Sequence, residues 1–444
     1  MARKVFLSFL GAIKYDPTAY TIGSNFRSNV TCFAQEAIIQ YNFGKDVRFD
    51  DVYVFATNDA EQNNYTNRNN GYGKPLIPND GLERVLTEQQ KRGAIVAFEK
   101  VHIAEGYATK EIWEVFGTVL KQLKEGDEVT LDITYGFRSL PMLGLVLLHY
   151  AKILRGIKVD AIWYGAFEAG RGERDIKRKE AEANGMTKAE ADEKIYCEAP
   201  ILDLKPFAEL QEWINAAQTF EKAGDPSLLA ELMYAAGAKE QANEMCVFFD
   251  ALRSVRGRLL TTEDIDLERV IAAMEGDINP EIAPFVAPIV EKMRAKIAPF
   301  APEKLENGFA AVQWCIDNNL VQQGYTFLQE TTKSYVVWKA MGDLDLAYSQ
   351  DYRDCANGAL STKVQHGEIV IGYGKIKYKA TEDMEPITKF ARSKQRLCKE
   401  YTKLTGEGLR NDISHGGFKT DYANSRNLKA GLQEIYTNIC RELL

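Results

Sequence analysis

The sequence predicts an α/β domain followed by an all-α domain. Two observations carry this. Residues 1–169 alternate short β-branched or aromatic runs with amphipathic helical stretches, and residues 200–444 space their apolar positions by three and four almost throughout. A chain of 444 residues, 45% hydrophobic and 27% charged, is long enough to bury more than one core.

The N-terminal strands are VFLSFLG, DVYVFATND, IVAFEKVHI, EVTLDITYG and VDAIWYGAF, five short runs rich in β-branched or aromatic residues. Between them TCFAQEAIIQY, TKEIWEVFGTVLKQLKEG and RSLPMLGLVLLHYAKILRG read as helices. Strands separated by helices of this length imply parallel βαβ units, hence a Rossmann-like open sheet covered on both faces, with ligands expected at the carboxyl ends of the strands. Residues 170–199 are mixed in sign and half of them are charged, which reads as a solvated linker or helical hairpin. The helical half is interrupted once, by GEIVIGYGKIKYKA at residues 367–380, a small hairpin or flap.

Composition narrows the function. A net charge of -8 argues against a broad basic face coating nucleic acid, so any nucleotide or RNA contact falls to a few placed residues. The seven cysteines show no C-x-x-C pair, which predicts reduced core thiols and no structural zinc. LPMLGLVLLHYAKIL is broken by His149 and Lys152 before it reaches membrane-spanning length, and the N-terminal run lacks a signal-peptide cleavage pattern. A cytoplasmic protein without membrane contact is expected. His102 and His149 sit in apolar patterns that predict core histidines.

Three loops at predicted strand ends carry groups suited to a phosphate ligand: Ser8 and Gly11 after the first strand, Thr57, Asn58 and Asp59 after the second, and Asp132, Thr134, Tyr135, Gly136, Arg138 and Ser139 in DITYGFRSLP. The turn at Gly136 and the helix starting near Arg138 would offer free N–H groups and a guanidinium. Equally, Gly136 makes only a turn and Asp132 only caps a helix or pairs Arg138. The three-glycine dinucleotide fingerprint is absent, which argues against a nicotinamide or flavin enzyme.

DITYGFRSLP, together with SFLG on the first strand, resembles the CARF sensor domains of type III CRISPR accessory proteins, which bind cyclic oligoadenylates across a dimer interface. QQGYTFLQE and RNDISHGGF resemble the HEPN ribonuclease half of the same proteins. The resemblance implies a homodimer, cyclic tetra-adenylate or hexa-adenylate as allosteric activator, single-stranded RNA as substrate, and no other cofactor. Many relatives carry histidine where this chain has Tyr135, so degradation of the activator is in doubt here.

RNDISHGGF holds Arg410, Asn411 and His415 between flanking glycines. Alone, such spacing is weak, and the plainer reading is a surface histidine with Arg410 paired to Asp412 or a neighbouring acid. In the resembled domain it implies a metal-independent endoribonuclease site. Histidine titrates near neutrality and can move the proton of a 2′-hydroxyl, while arginine stays charged and holds the phosphorane oxygens. On a helix Asn411 and His415 share a face, and Arg410 lies about 140° away. A two-fold dimer would bring both chains' residues to one cleft.

Glu330, Gln322 and Gln323 stand behind that site or are exposed helical polars, and Arg253, Arg256 and Arg258 guide RNA or simply snorkel. Asp264 and Asp266 have no histidine near them in sequence, and no metal is expected. Two rival readings are a nucleotide-sensing scaffold with a non-catalytic helical half, and a nuclease that opens the cyclic nucleotide itself.

Overall fold

The computed structural model describes every residue except 1, 72, 137–139, 263–266, 270–271, 273–277, 362–363, 366–367, 372–375, 379–380, 406–412 and 414–423. The chain divides into two compact units, Met1–Glu209 and Leu210–Leu444.

The first unit is built on an eight-stranded sheet. Its strands are β1 (Lys4–Leu10), β2 (Thr18–Ile22), β3 (Phe26–Thr31), β4 (Phe49–Ala56), β5 (Ile95–His102), β6 (Glu128–Asp132), β7 (Lys158–Gly165) and β8 (Cys197–Asp203), in the order β3-β2-β8-β7-β6-β1-β4-β5. β7, β6, β1, β4 and β5 are parallel and are the five strands expected from sequence. The chain winds outward from β1 in both directions, so the strand order reverses between β1 and β6. β8 adds antiparallel to β7 and then pairs parallel with β2 of a β2–β3 hairpin. The backbone register aligns Ser8, Asp132, Trp163 and Asp203 in one row across β1, β6, β7 and β8.

Helices cover both faces. α1 (Ala34–Phe43) and α3 (Leu82–Lys91) bury Ile38, Ile39, Val85 and Leu86 against Phe6, Leu10, Val52 and Val54; the three-residue turn α2 (Asn58–Ala60) follows β4. On the opposite face α4 (Thr109–Gln122) and α5 (Leu140–Arg155) bury Val115, Val119, Leu147 and Leu148 against Val5, Leu7 and Phe9. This is the two-residue alternation of β1, and it puts Ser8 on the α1 face between Phe6 and Leu10. β5 is an edge strand, and His102 at its end is exposed, not a core residue as its apolar pattern implied.

The charged residues 170–199 form α6 (Glu168–Ala183), α7 (Lys188–Lys194) and the start of β8. A capping box at Thr187 and Glu190 starts α7. α6 packs so closely on β8 that a Cβ at Gly170 would lie 2.1 Å from the Glu198 carbonyl oxygen. Arg174, nearly fully buried, fastens the helices by donating to the Ile195 and Asp192 carbonyl oxygens and pairing with Asp16 at 3.2 Å.

The second unit is helical around one core, at whose centre lies the Val321–Met341 helix. Gly308 of the Asn307–Asp317 helix meets it across Thr331 and has no room for a side chain. Within residues 367–380 the described segments are β10 (Glu368–Ile371) and β11 (Ile376–Tyr378), which form a three-stranded antiparallel sheet with β9 (Val364–Gln365), in the order β11-β10-β9.

Candidate functional site

The reversal of strand order between β1 and β6 leaves a crevice at their carboxyl ends, where the connecting loops diverge. Beneath it the Ser8 hydroxyl donates to Asp132 Oδ2 at 2.7 Å, tying the two strands together. Gln35 of α1 donates its amide to Ser8 Oγ at 3.0 Å, and the Thr134 N–H donates to Asp132 Oδ1 at 2.9 Å. Ser8, Gln35 and Asp132 are fully buried. Burial raises the Asp132 carboxyl above the ordinary carboxylate range, against the opposing pull of its bonds from Thr134 and Ser8.

Above this network three tyrosines hold the loops. Tyr15 accepts from the Gly11 N–H at 2.7 Å and donates to the Gly11 carbonyl oxygen at 3.0 Å. Its ring stacks on Tyr135 with centroids 3.9 Å apart. The Tyr135 hydroxyl donates to the Cys32 carbonyl oxygen at 3.2 Å and lies 3.1 Å from the Tyr20 hydroxyl. Burial, then the neighbouring phenols of Tyr20 and Tyr15, push Tyr135 well above the ordinary phenol range; burial does the same to Tyr15. Asn64, in a π-helical turn Glu61–Thr66, donates to the carbonyl oxygens of Gly11 and Ile13, each at 2.7 Å. Gly136 sits exposed at φ 114, and a Cβ at Gly11 would lie 3.6 Å from its nitrogen, so the first and third loops meet at two glycines. Thr134 accepts from the Gly165 N–H at 2.8 Å, joining the loop to β7.

The second loop stands beside them, since Leu10 and Ala56 are register partners. Thr57 is buried and accepts from the Ala60 N–H as a helix cap, while Asn58 and Asp59 are exposed. The three loops thus present backbone and small polar groups over a rigid buried base.

The family described as "CRISPR system endoribonuclease Csx1, CARF domain" matches residues 5–168, which contain all of these loops. Residues 5–168 form a CARF domain. The chain is 24% identical over 268 residues to the CRISPR-associated protein MJ1674 of Methanocaldococcus jannaschii, a match taking in 58% of this chain and 37% of that one. The chain therefore spans little more than a third of the length of that curated relative. Among solved structures it is similar to Enterococcus italicus Csm6 bound to cyclic hexa-2'-fluoro-hexa-dAMP, at 12% identity and a TM-score of 0.39, over 100% of this chain and 94% of that one.

In the CARF domain the structure brings together Ser8, Gly11, Asp132, Thr134, Tyr135 and Gly136, with Thr57 and Asn58 on the adjoining strand end. Ser8 and Asp132 face each other rather than the crevice. Arg138 and Ser139 lie outside the described residues, as do Arg410, Asn411 and His415 of the helical unit. Tyr15, Tyr20, Gln35 and Asn64 escaped the sequence reading. Their partners are backbone groups or buried side chains, and no spacing in the sequence marks them. Among the described residues no group of His, Cys, Asp or Glu is arranged to hold a metal ion, and no helix is long and apolar enough to cross a membrane.

Proposed function

We propose that the chain is a homodimeric, metal-independent endoribonuclease of antiviral defence, activated by cyclic oligoadenylate bound in the CARF crevice. The observation that carries this reading is the pairing of a CARF domain with a separate helical unit containing the R-N-x-x-x-H sequence at Arg410, Asn411 and His415. The activator rests on the exposed glycine backbone and on Thr134, Tyr135, Asn58, Arg138 and Ser139. Ser8, Thr57 and Asp132 position those loops from beneath.

In the helical unit His415 takes the proton from an RNA 2′-hydroxyl or returns one to the leaving 5′-oxygen. Arg410 holds the phosphorane oxygens and Asn411 orients the imidazole. The 2′-oxygen forms its bond to phosphorus as the P–O5′ bond breaks, leaving a 2′,3′-cyclic phosphate and a 5′-hydroxyl.

The dimer is supported by α5, which exposes Met142, Val146, Tyr150 and Ile153 along one stripe, joined by Trp113 of α4. An apolar stripe of this length calls for a partner. α5 follows directly from the Thr134–Gly136 loop, so a second copy on the stripe would bring a second loop alongside and offer a two-fold site to a cyclic ligand. The activator shifts the dimer toward a cutting arrangement only as far as it binds that arrangement better.

The test is cleavage of fluorescent single-stranded RNA in EDTA, with cyclic tetra-adenylate or hexa-adenylate added separately, beside His415→Ala. Cutting that needs one ring, survives EDTA and vanishes in the variant supports the reading. Absence of cutting with either ring, despite measured binding of one, refutes it.

A further inference from the structure

The central helix of the second unit buries an unusual run of polar side chains, Gln329, Thr331, Thr332, Lys333 and Ser334. Part of that face lines a cleft of about 250 Å³, walled also by the Gly257–Thr262 helix and by the segment from Tyr348 to Arg353. Arg258, Arg353, Glu330, Thr326, Ser334 and Tyr348 line it. Lys333 pairs with Glu330 at 2.6 Å, and Arg353 pairs with the same carboxylate. Arg258 lies 5.6 Å from the Tyr348 ring centroid and makes no ion pair among the described residues. Two cations thus share one carboxylate while Arg258 lines the same cleft, and among the described residues the buried Arg353 Nε has no hydrogen-bond partner. Val255 at the rim is held at φ 58, a left-handed conformation costly for a β-branched residue, in the turn that leads into Arg256 and Arg258.

We propose that this cleft docks a ribonucleotide unit of the single-stranded RNA substrate, outside the Arg410 and His415 pair; the identity of the ligand rests on the nuclease reading above. Arg258 and Arg353 hold the phosphodiester through charge-assisted hydrogen bonds, and the Tyr348 ring offers a flat wall to a sugar or base. Glu330 disfavours a dense polyanion such as a triphosphate. Beside a singly charged phosphodiester it is an acceptor for a ribose 2′-hydroxyl, the group that distinguishes RNA from DNA.

The experiment measures binding alone, by fluorescence anisotropy of a labelled unstructured oligoribonucleotide and its DNA counterpart, on His415→Ala protein with each activator ring present or absent. Added to that background, Arg258→Glu is expected to weaken RNA binding at least about tenfold and to flatten its salt dependence by roughly 0.7 for each phosphate left without its arginine. Arg253→Glu, at an arginine paired with Asp225 at 2.6 Å and not lining the cleft, is expected to stay within about twofold of the parent. Glu330→Gln is expected to narrow the preference for RNA over DNA. Equal RNA affinity in the Arg258→Glu and Arg253→Glu proteins, or no RNA binding by the parent, overturns the proposal. If wild-type protein binds RNA through Arg258 yet never cuts it, the nuclease reading fails and the cleft stands.

Discussion

Ser8 on β1 and Asp132 on β6 share a 2.7 Å hydrogen bond at the point where the strand order of the CARF sheet reverses. The bond joins the two strands whose loops carry the candidate activator site, and it is wholly out of water. Ser8→Ala leaves Asp132 and the Gln35 amide each short of a partner, and is expected to cost about 1–3 kcal/mol in urea unfolding, with weaker activator binding by titration calorimetry. An unchanged midpoint would show that the bond contributes nothing to the sheet.

The same carboxyl makes stability depend on pH. Burial raises its pKa in the folded protein above the value in the unfolded chain, so the folded state binds this proton more tightly. Its contribution therefore falls as pH rises from the unfolded value toward the folded one, and is lost above the latter. Asp132→Asn has no such titration. Its stability relative to the parent is expected to improve as pH rises above about 4, the unfolded carboxyl's range, measured by urea unfolding at each pH. A gap independent of pH would exclude the carboxyl as its source.

Tyr15→Phe removes the hydroxyl that both accepts from and donates to Gly11 while keeping the ring stacked on Tyr135. The Gly11 N–H then loses its partner. The expected result is a looser first loop, a fall in activator affinity of about tenfold, and a stability loss of about 1 kcal/mol. The phenol is pushed above its ordinary range, so the wild-type affinity should be flat across the neutral and mildly alkaline region. Equal affinity in the variant would remove Tyr15 from the positioning of the site.

Gly170→Ala places a methyl group 2.1 Å from the Glu198 carbonyl oxygen, and backbone cannot turn aside as a flexible side chain can. α6 must lift from β8. The expected loss is about 1–3 kcal/mol or more, read as a lower Tm of the first unit. A wild-type Tm would mean that the charged stretch is loosely attached.

Arg410→Lys keeps the charge but loses the planar fork that would grip a phosphorane. On the proposed mechanism kcat falls about 10²–10³-fold with activator binding unchanged. Wild-type turnover in this variant would demote Arg410 to a structural residue.

The five parallel strands were legible because each is short and rich in β-branched or aromatic residues, and VFLSFL is buried along almost its whole length. β2 and β3 were not. FRSNVT alternates irregularly between buried and exposed positions, and its pairing with TAYTI is broken by a bulge. β8, CEAPILD, contains a proline and follows a charged run that masks it. At the site, residue types were readable but depth was not. Ser8 and Asp132 looked like ligand groups because a sequence shows a hydroxyl and a carboxylate without showing that they face each other. Tyr15 was missed for the converse reason, since its partner is the backbone of Gly11, which has no side chain to signal it.

The row Ser8, Asp132, Trp163 and Asp203 bears on how a signal would leave the CARF domain. Asp203 is the last residue of β8, and its carboxylate accepts from the Lys205 N–H at 2.9 Å, where the Lys205–Ala223 helix begins. The exit is not a slack tether. It is the end of a strand laced to β7, and only β7 separates it from the loop that carries Thr134 and Gly136. If the proposed activation holds, a shift of that loop would have one backbone rung to cross before reaching the end of β8, and sheet hydrogen bonds would set how far it carries.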